Sequence, residues 1–309
     1  MKRLAIAGAI VAAIGVGVLI WLFFPVSGYD LPEGVNSQAP GMATRGAYLV
    51  RAAGCMGCHW DSKHGGEPFA GGRALKTPFG IFYTPNITPD PETGIGNWSD
   101  EDFVAALKNG RDPHGANLFP AFPYTSYARM PIEDMLAIKA YLFAQTPVRR
   151  ENTPHDIGFP FGIRGLLTGW KALFFDNSQF EPNPKFDDAA NRGAYLVDVV
   201  MHCGECHTPR NALGASDNSR YLAGSPDGAE GARVPNITPG EGGIGDWTID
   251  DFKKFFRTGV KPDFDNSQGL MEEVIEQQMK YLTDEDILAI ARYLATVDPK
   301  PNEGSRPSQ

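Results

Sequence analysis

The sequence predicts an all-α chain in which an N-terminal transmembrane helix precedes two tandem copies of one small helical domain. Three observations carry this. Lys2-Arg3 lead into an uncharged run from Leu4 to Val26, longer than the about 20 residues that a bilayer-spanning helix needs. The pattern Cys-x-x-Cys-His occurs twice, at Cys55-Met-Gly-Cys58-His59 and at Cys203-Gly-Glu-Cys206-His207. The stretches around the two copies also repeat, Arg45-Gly-Ala-Tyr-Leu-Val50 matching Arg192-Gly-Ala-Tyr-Leu-Val197.

The N-terminal run ends in Phe23-Phe24-Pro25-Val26, which is bulky where a cleavable signal peptide carries a small-x-small site. An uncleaved anchor over 1–28 is therefore expected, with a cleaved signal as the alternative. With the two basic residues held inside, everything after Ser27 lies on the outer face. The expected location is the cytoplasmic membrane, single-pass, with the following domains in the periplasm. Residues 29–43, polar and rich in Pro and Gly, read as a tether.

Domain 1 covers 44–146 and domain 2 covers 187–298. Each opens with a helix, from Gly46 or Gly193, that delivers its Cys-x-x-Cys-His. A Gly/Pro-rich loop follows, with Pro85-Asn-Ile-Thr-Pro89 matching Pro235-Asn-Ile-Thr-Pro239 and Gly94-Ile-Gly-Asn-Trp98 matching Gly243-Ile-Gly-Asp-Trp247. Ser99-Asp-Glu-Asp and Thr248-Ile-Asp-Asp then carry an N-cap and early acidic charge, which start a short helix. A closing helix begins near Pro131 or Thr283 and ends in Tyr-Leu. Residues 147–186 do not repeat and form a linker with one helix, whose Leu166, Leu167, Trp170, Leu173 and Phe174 share a side. That helix packs between the domains or offers a docking face. The end, 299–309, reads as a disordered tail.

Gly 35 and Pro 25 are high counts in 309 residues and point to loop-rich domains. The formal charge of −9 argues against nucleic acid as a partner. No Ser-His-Asp set, nucleotide-binding glycine loop or quinone-cofactor dehydrogenase domain is present, so no residue set points to bond-making chemistry.

All four cysteines belong to the two pentapeptides. Two thiols three apart on a helical turn can each add to a haem vinyl group, and the adjacent histidine presents an imidazole to the iron. A zinc ribbon would space its pairs about 15–20 residues apart, far closer than Cys58 and Cys203. A thioredoxin-like pair needs a βαβ context that is missing. Two disulfides remain open on cysteine count in an oxidising compartment, but leave both histidines without a role. Two covalently attached haem c groups are expected, held by Cys55, Cys58, His59, Cys203, Cys206 and His207, with His59 and His207 as iron ligands. Such a cofactor is itself a large part of a small domain's apolar core. An opening helix crossing a closing helix that ends in Tyr-Leu is the arrangement of class I cytochrome c domains.

An electron-transfer haem takes a second axial ligand, and methionine favours the ferrous state. Domain 2 offers Met271, preceded by a loop, and Met279, nearer the closing helix and suited to the core; Met271 is the candidate. In domain 1 the candidate is Met130, with His114 or an open iron as alternatives. Met130 also occupies a hydrophobic-staple position ahead of the closing helix, which would be a packing role. His64, His155 and His202 read as surface or packing residues, and Trp98, Trp247, Asn86 and Asn236 as lining the haem crevices.

The two haem motifs, the paired Pro-Asn-Ile-Thr loops, Leu118-Phe-Pro-Ala-Phe-Pro-Tyr124 and Tyr281-Leu-Thr-Asp-Glu-Asp286 together resemble the membrane-bound dihaem c-type cytochromes, over roughly 44–297. Those proteins are the cytochrome c subunits of periplasmic alcohol and aldehyde dehydrogenases. The resemblance supports Met271 as a ligand. It also marks a departure, because Phe122 stands where the family often has Met. What it implies is a dihaem electron-transfer subunit, itself non-catalytic. Electrons would come from a periplasmic dehydrogenase or quinol-linked donor and leave to a downstream cytochrome or oxidase. The alternative is a dihaem enzyme, a peroxidase or thiosulfate-type oxidoreductase, with an open distal site on one haem.

Overall fold

In the computed structural model residues 2–24 and 28–303 are described. The chain runs through α1 (Lys2–Phe23), α2 (Met42–Ala52) and α3 (Cys55–His59), then a hairpin of β1 (Ala74–Thr77) and β2 (Gly80–Tyr83). Next come α4 (Asp100–Asn109), α5 (Tyr124–Tyr127), α6 (Ile132–Phe143), β3 (Asp156–Ile157) and α7 (Leu166–Phe174). The second half holds α8 (Asp188–Tyr195), α9 (Gly204–His207), α10 (Ile249–Thr258), α11 (Leu270–Gln277) and α12 (Asp284–Leu294).

The expected transmembrane helix is not supported. Among the described residues no helix is long and apolar enough to cross a membrane. The last turn of α1 meets protein: Thr168 Oγ1 on α7 donates to Leu22 O at 3.0 Å. Membrane attachment through this helix, expected from the apolar run, is therefore not supported either.

The two halves share one plan, set by the crossing of an opening and a closing helix. The glycine of each Arg-Gly-Ala-Tyr stretch explains how close that crossing is. A Cβ built at Gly46 would lie 1.8 Å from Ala137 O on α6, and one at Gly193 2.0 Å from Ala289 O on α12. Only hydrogen fits there, so the helices approach backbone to backbone. Around the crossings Val50, Leu136, Leu196 and Ile290 are buried. The caps read from the sequence are present. Ser99 with Asp102, and Thr248 with Asp251, form capping boxes on α4 and α10, and Thr283 caps α12.

A small antiparallel sheet departs from the all-α expectation. Ala74 pairs with Tyr83 and Thr77 with Gly80, and Ile157 from the linker joins Gly80. The β-branched and aromatic residues of Gly80-Ile-Phe-Tyr83 suit a strand, and a linker strand covers its edge. The linker is thus laid along the first half. Its α7 then bridges: Lys171 Nζ donates to Asn109 O, Gly110 O and Asn117 Oδ1 of the first half, and Trp170 Nε1 to Leu213 O of the second. The segment read as a tether is also held, since Ser37 donates to both Asp100 carboxylate oxygens at 2.7 and 2.8 Å.

Candidate functional site

Each Cys-x-x-Cys-His occupies a single short helix, α3 or the turn leading into α9, directly after an opening helix. The residue before the first cysteine is left-handed in both halves: Gly54 has φ +69° and His202 φ +44°. Glycine takes that conformation freely, whereas histidine is strained by it. His202 has compensation. Its ring stacks edge-on against Tyr127 with centroids 5.3 Å apart, and its Nε2 lies 3.3 Å from Ala53 O of the other half.

The cysteines are all free thiols. Burial pushes Cys55 and Cys203 up to about 12 and Cys206 up to about 11, and raises Cys58 as well. Burial thus favours the neutral thiol at all four positions. Among the described residues no three His, Cys, Asp or Glu side chains converge to hold a bare metal ion.

The histidines supply the most informative geometry. His59 Nδ1 lies 2.7 Å from Pro85 O, and His207 Nδ1 lies 2.8 Å from Pro235 O. A proline carbonyl can only accept, so Nδ1 carries the proton in both rings and Nε2 presents its lone pair. Burial lowers both imidazoles below their ordinary value, against the opposing effect of the proline carbonyls, and so keeps them neutral. A neutral imidazole fixed through Nδ1, beside two thiols one helical turn apart, is the donor set that a covalent haem requires. The residues present fit that group in both halves.

The prolines belong to the paired Pro-Asn-Ile-Thr loops, and the asparagines hold those loops in place. Asn86 Nδ2 donates to Val148 O at 2.7 Å, and Asn236 Nδ2 to Lys300 O at 3.0 Å. The same chain segments return bonds, Val148 N to Thr88 Oγ1 and Lys300 N to Thr238 Oγ1, both at 3.1 Å. Asn86 and Asn236 are therefore buried staples rather than crevice lining. Trp247 packs against Phe252 and Phe255. Residues 299–303, part of the stretch read as a tail, are held by the Lys300 bonds and by Glu303 N donating to Ala223 O at 2.8 Å. Residues 304–309 lie outside the described residues.

Met130 is fully buried at the foot of α6, in the same apolar cluster that Cys55 packs against. Met271 is half-buried on α11 against that cluster, while Met279 is buried. Phe122 stacks on Tyr127 with centroids 5.7 Å apart. His114 is exposed in a loop, its N–H donating to Asp112 Oδ1. His155 accepts from Tyr83 N and packs between Phe82 and Phe119; His64 lies at the surface 2.7 Å from Asp61 Oδ1.

The two motifs face one interface. Glu205, the third residue of the second motif, accepts from Thr125 Oγ1 and Ser126 Oγ on α5 of the first half, at 2.7 and 3.1 Å. In return α11 of the second half packs on α3, where Gln278 fills the space beside Gly54. The segment preceding each half's closing helix thus covers the attachment peptide of the other half. Sequence reasoning missed this because no residue in either motif announces a partner so far along the chain.

No family model matches the chain. It is 40% identical over 301 residues to the diheme cytochrome c-type protein of Cereibacter sphaeroides, covering 96% of this chain and 99% of that protein. It is 41% identical over 268 residues to the gluconate 2-dehydrogenase cytochrome c subunit of Pantoea cypripedii, and 41% over 276 residues to the fructose dehydrogenase cytochrome subunit of Gluconobacter japonicus. Those matches cover 84% and 88% of this chain. The chain spans only 60% and 56% of the two dehydrogenase subunits.

Proposed function

The chain belongs to the dihaem c-type cytochromes, and from that premise we propose that it carries electrons singly through two covalently attached haem c groups. The observation that carries this is the duplicated imidazole geometry, with His59 and His207 each held by a proline carbonyl beside a free Cys-x-x-Cys pair. When bound, the haems supply one-electron redox chemistry at iron. The chain's part is attachment through Cys55, Cys58, Cys203 and Cys206, and presentation of Nε2 of the two histidines. Met130 and Met271 are the sixth ligands in this reading, supported by their placement against the same apolar cluster.

The donor in this reading is a periplasmic dehydrogenase or a quinol-linked protein, by analogy with the relatives that are dehydrogenase cytochrome subunits. Electrons leave to a downstream cytochrome or oxidase. The haem domains lie in the periplasm, because c-type haem is attached outside the cytoplasm. Denatured protein should retain haem stain and give a pyridine haemochrome of two c-type haems per chain. Cys206→Ala should impair attachment in the second half alone. Recovery of one haem from the unmodified chain would overturn the reading.

A further inference from the structure

We propose that Glu273, a residue of the second half, is the carboxylate that tunes the first haem, acting through Arg73 on the first attachment peptide. The proposal rests on the two-haem reading. Arg73 Nη1 donates to Gly57 O, the carbonyl of the third motif residue, at 2.6 Å. The same nitrogen lies 2.7 Å from Glu273 Oε2. Lys63 Nζ reaches the other carboxylate oxygen at 2.6 Å. Glu273 sits two residues beyond Met271 on α11, the helix that packs on α3.

The second motif carries the same group, built from other positions. Its third residue is Glu205; Arg210 Nη2 donates to Glu205 O at 3.0 Å and pairs with Glu205 Oε2 at 2.5 Å. Arg210 follows His207 by three residues, whereas Arg73 comes after a long loop. The two arginines are not counterparts in the repeat, yet each caps the third carbonyl of its motif and holds a carboxylate there. In the second half that carboxylate is part of the motif. In the first half the motif has Gly57, and the carboxylate arrives from the other domain.

The consequence is electrostatic. Oxidising a haem adds positive charge, so a nearby carboxylate favours the ferric form and lowers the potential. Arg73 and Glu273 have side chains only 16% and 22% exposed, so water screens their charges incompletely. Both oxygens of the Glu273 carboxylate are paired, one with Lys63 and the other with Arg73, so its charge is fixed in place beside the first attachment peptide. Removing that charge leaves two cations uncompensated beside the first attachment peptide. Glu273 is a positioning residue in this sense, and docking of the domains sets the potential of a haem that the second domain does not carry.

The test uses the full chain loaded with both haems, their number confirmed by pyridine haemochrome. Each haem's midpoint is followed through its own paramagnetic NMR signals, assigned by contacts to its own attachment peptide. Glu273→Gln should raise the midpoint of the first haem by more than that of the second, and Glu273→Asp, which keeps the charge, should leave most of the shift unmade. Arg73→Gln should move the first haem the opposite way. Glu272→Gln, the exposed neighbour, should leave the first haem where it is. Unmoved midpoints, a shift confined to the second haem, or an equal shift from Glu272→Gln would overturn the proposal. A single haem per chain would instead overturn the two-haem reading, a failure separate from an unmoved potential.

Discussion

The hydroxyl of Tyr48 on α2 donates a 2.5 Å hydrogen bond to Asp286 on α12, and Tyr195 on α8 makes the counterpart bond to Asp134 on α6. Each aspartate also pairs with an arginine of its own half: Arg45 lies 2.5 Å from Asp134, and Arg192 grips Asp286 with two nitrogens at 2.8 Å. The two halves therefore meet through the same residues on both sides, as the subunits of a two-fold dimer would. The Arg-Gly-Ala-Tyr repeat serves both purposes. Its arginine closes its own half and its tyrosine crosses to the other.

Tyr48→Phe should destabilise the chain by about 1.5–3 kcal/mol, the range for a hydrogen bond to a charged group. Asp286 keeps Arg192, so the loss is one bond and not an unpaired buried charge. Urea unfolding followed by far-UV circular dichroism should show a lower midpoint with the slope unchanged. An unmoved midpoint would show that the crossing bond contributes nothing.

The same bond sets an alkaline limit. Burial, and then the bond to Asp286, push the Tyr48 hydroxyl up to about 12. A phenol raised above its unfolded value of about 10 favours the folded state while it is neutral. Its contribution is full below about pH 10 and is lost as pH rises through 12. Tyrosinate absorbance should show this ring titrating late. Between pH 10 and 12 the unmodified chain should lose stability more steeply than Tyr48→Phe; parallel curves would refute the linkage.

Deleting 299–309 should weaken the second half selectively. Lys300 supplies both an acceptor for Asn236 and a donor to Thr238, and Arg220 pairs with Glu303 at 3.1 Å. Removing the 3.0 Å acceptor leaves the buried Asn236 amide only the longer bond to Glu241 O at 3.5 Å, a loss of about 1–3 kcal/mol. The loop that carries Pro235 O would loosen, so thermal unfolding monitored at the second haem should precede that at the first. Coincident transitions at the original temperature would contradict this.

Met130→Ala and Met271→Ala separate ligation from packing. Truncating a fully buried methionine costs about 2–5 kcal/mol whatever its role. The near-infrared band of methionine-bound ferric haem is a separate readout, and each variant should remove half of it from the folded protein. A full band after Met130→Ala would leave that residue a packing role only.

What the sequence determined by itself is local or repeated. The two haem motifs and the N-caps of α4 and α10 depend on residues within a few positions, and the Arg-Gly-Ala-Tyr stretch on a recurrence. Their chemistry is legible because spacing along one helical turn is geometry. The apolar N-terminal run was legible as well but misleading, since composition alone does not report that the last turn of α1 meets Thr168. What only the tertiary structure decided is non-local. Pro85 and Pro235 are separated from the histidines that they fix by whole loops, Asn236 waits on Lys300, and Arg73 finds its carboxylate on Glu273 in the other half. Charge and hydrogen-bond partners are chosen by proximity in space, and for Arg73 and Glu273 that proximity exists only once the two halves have packed together.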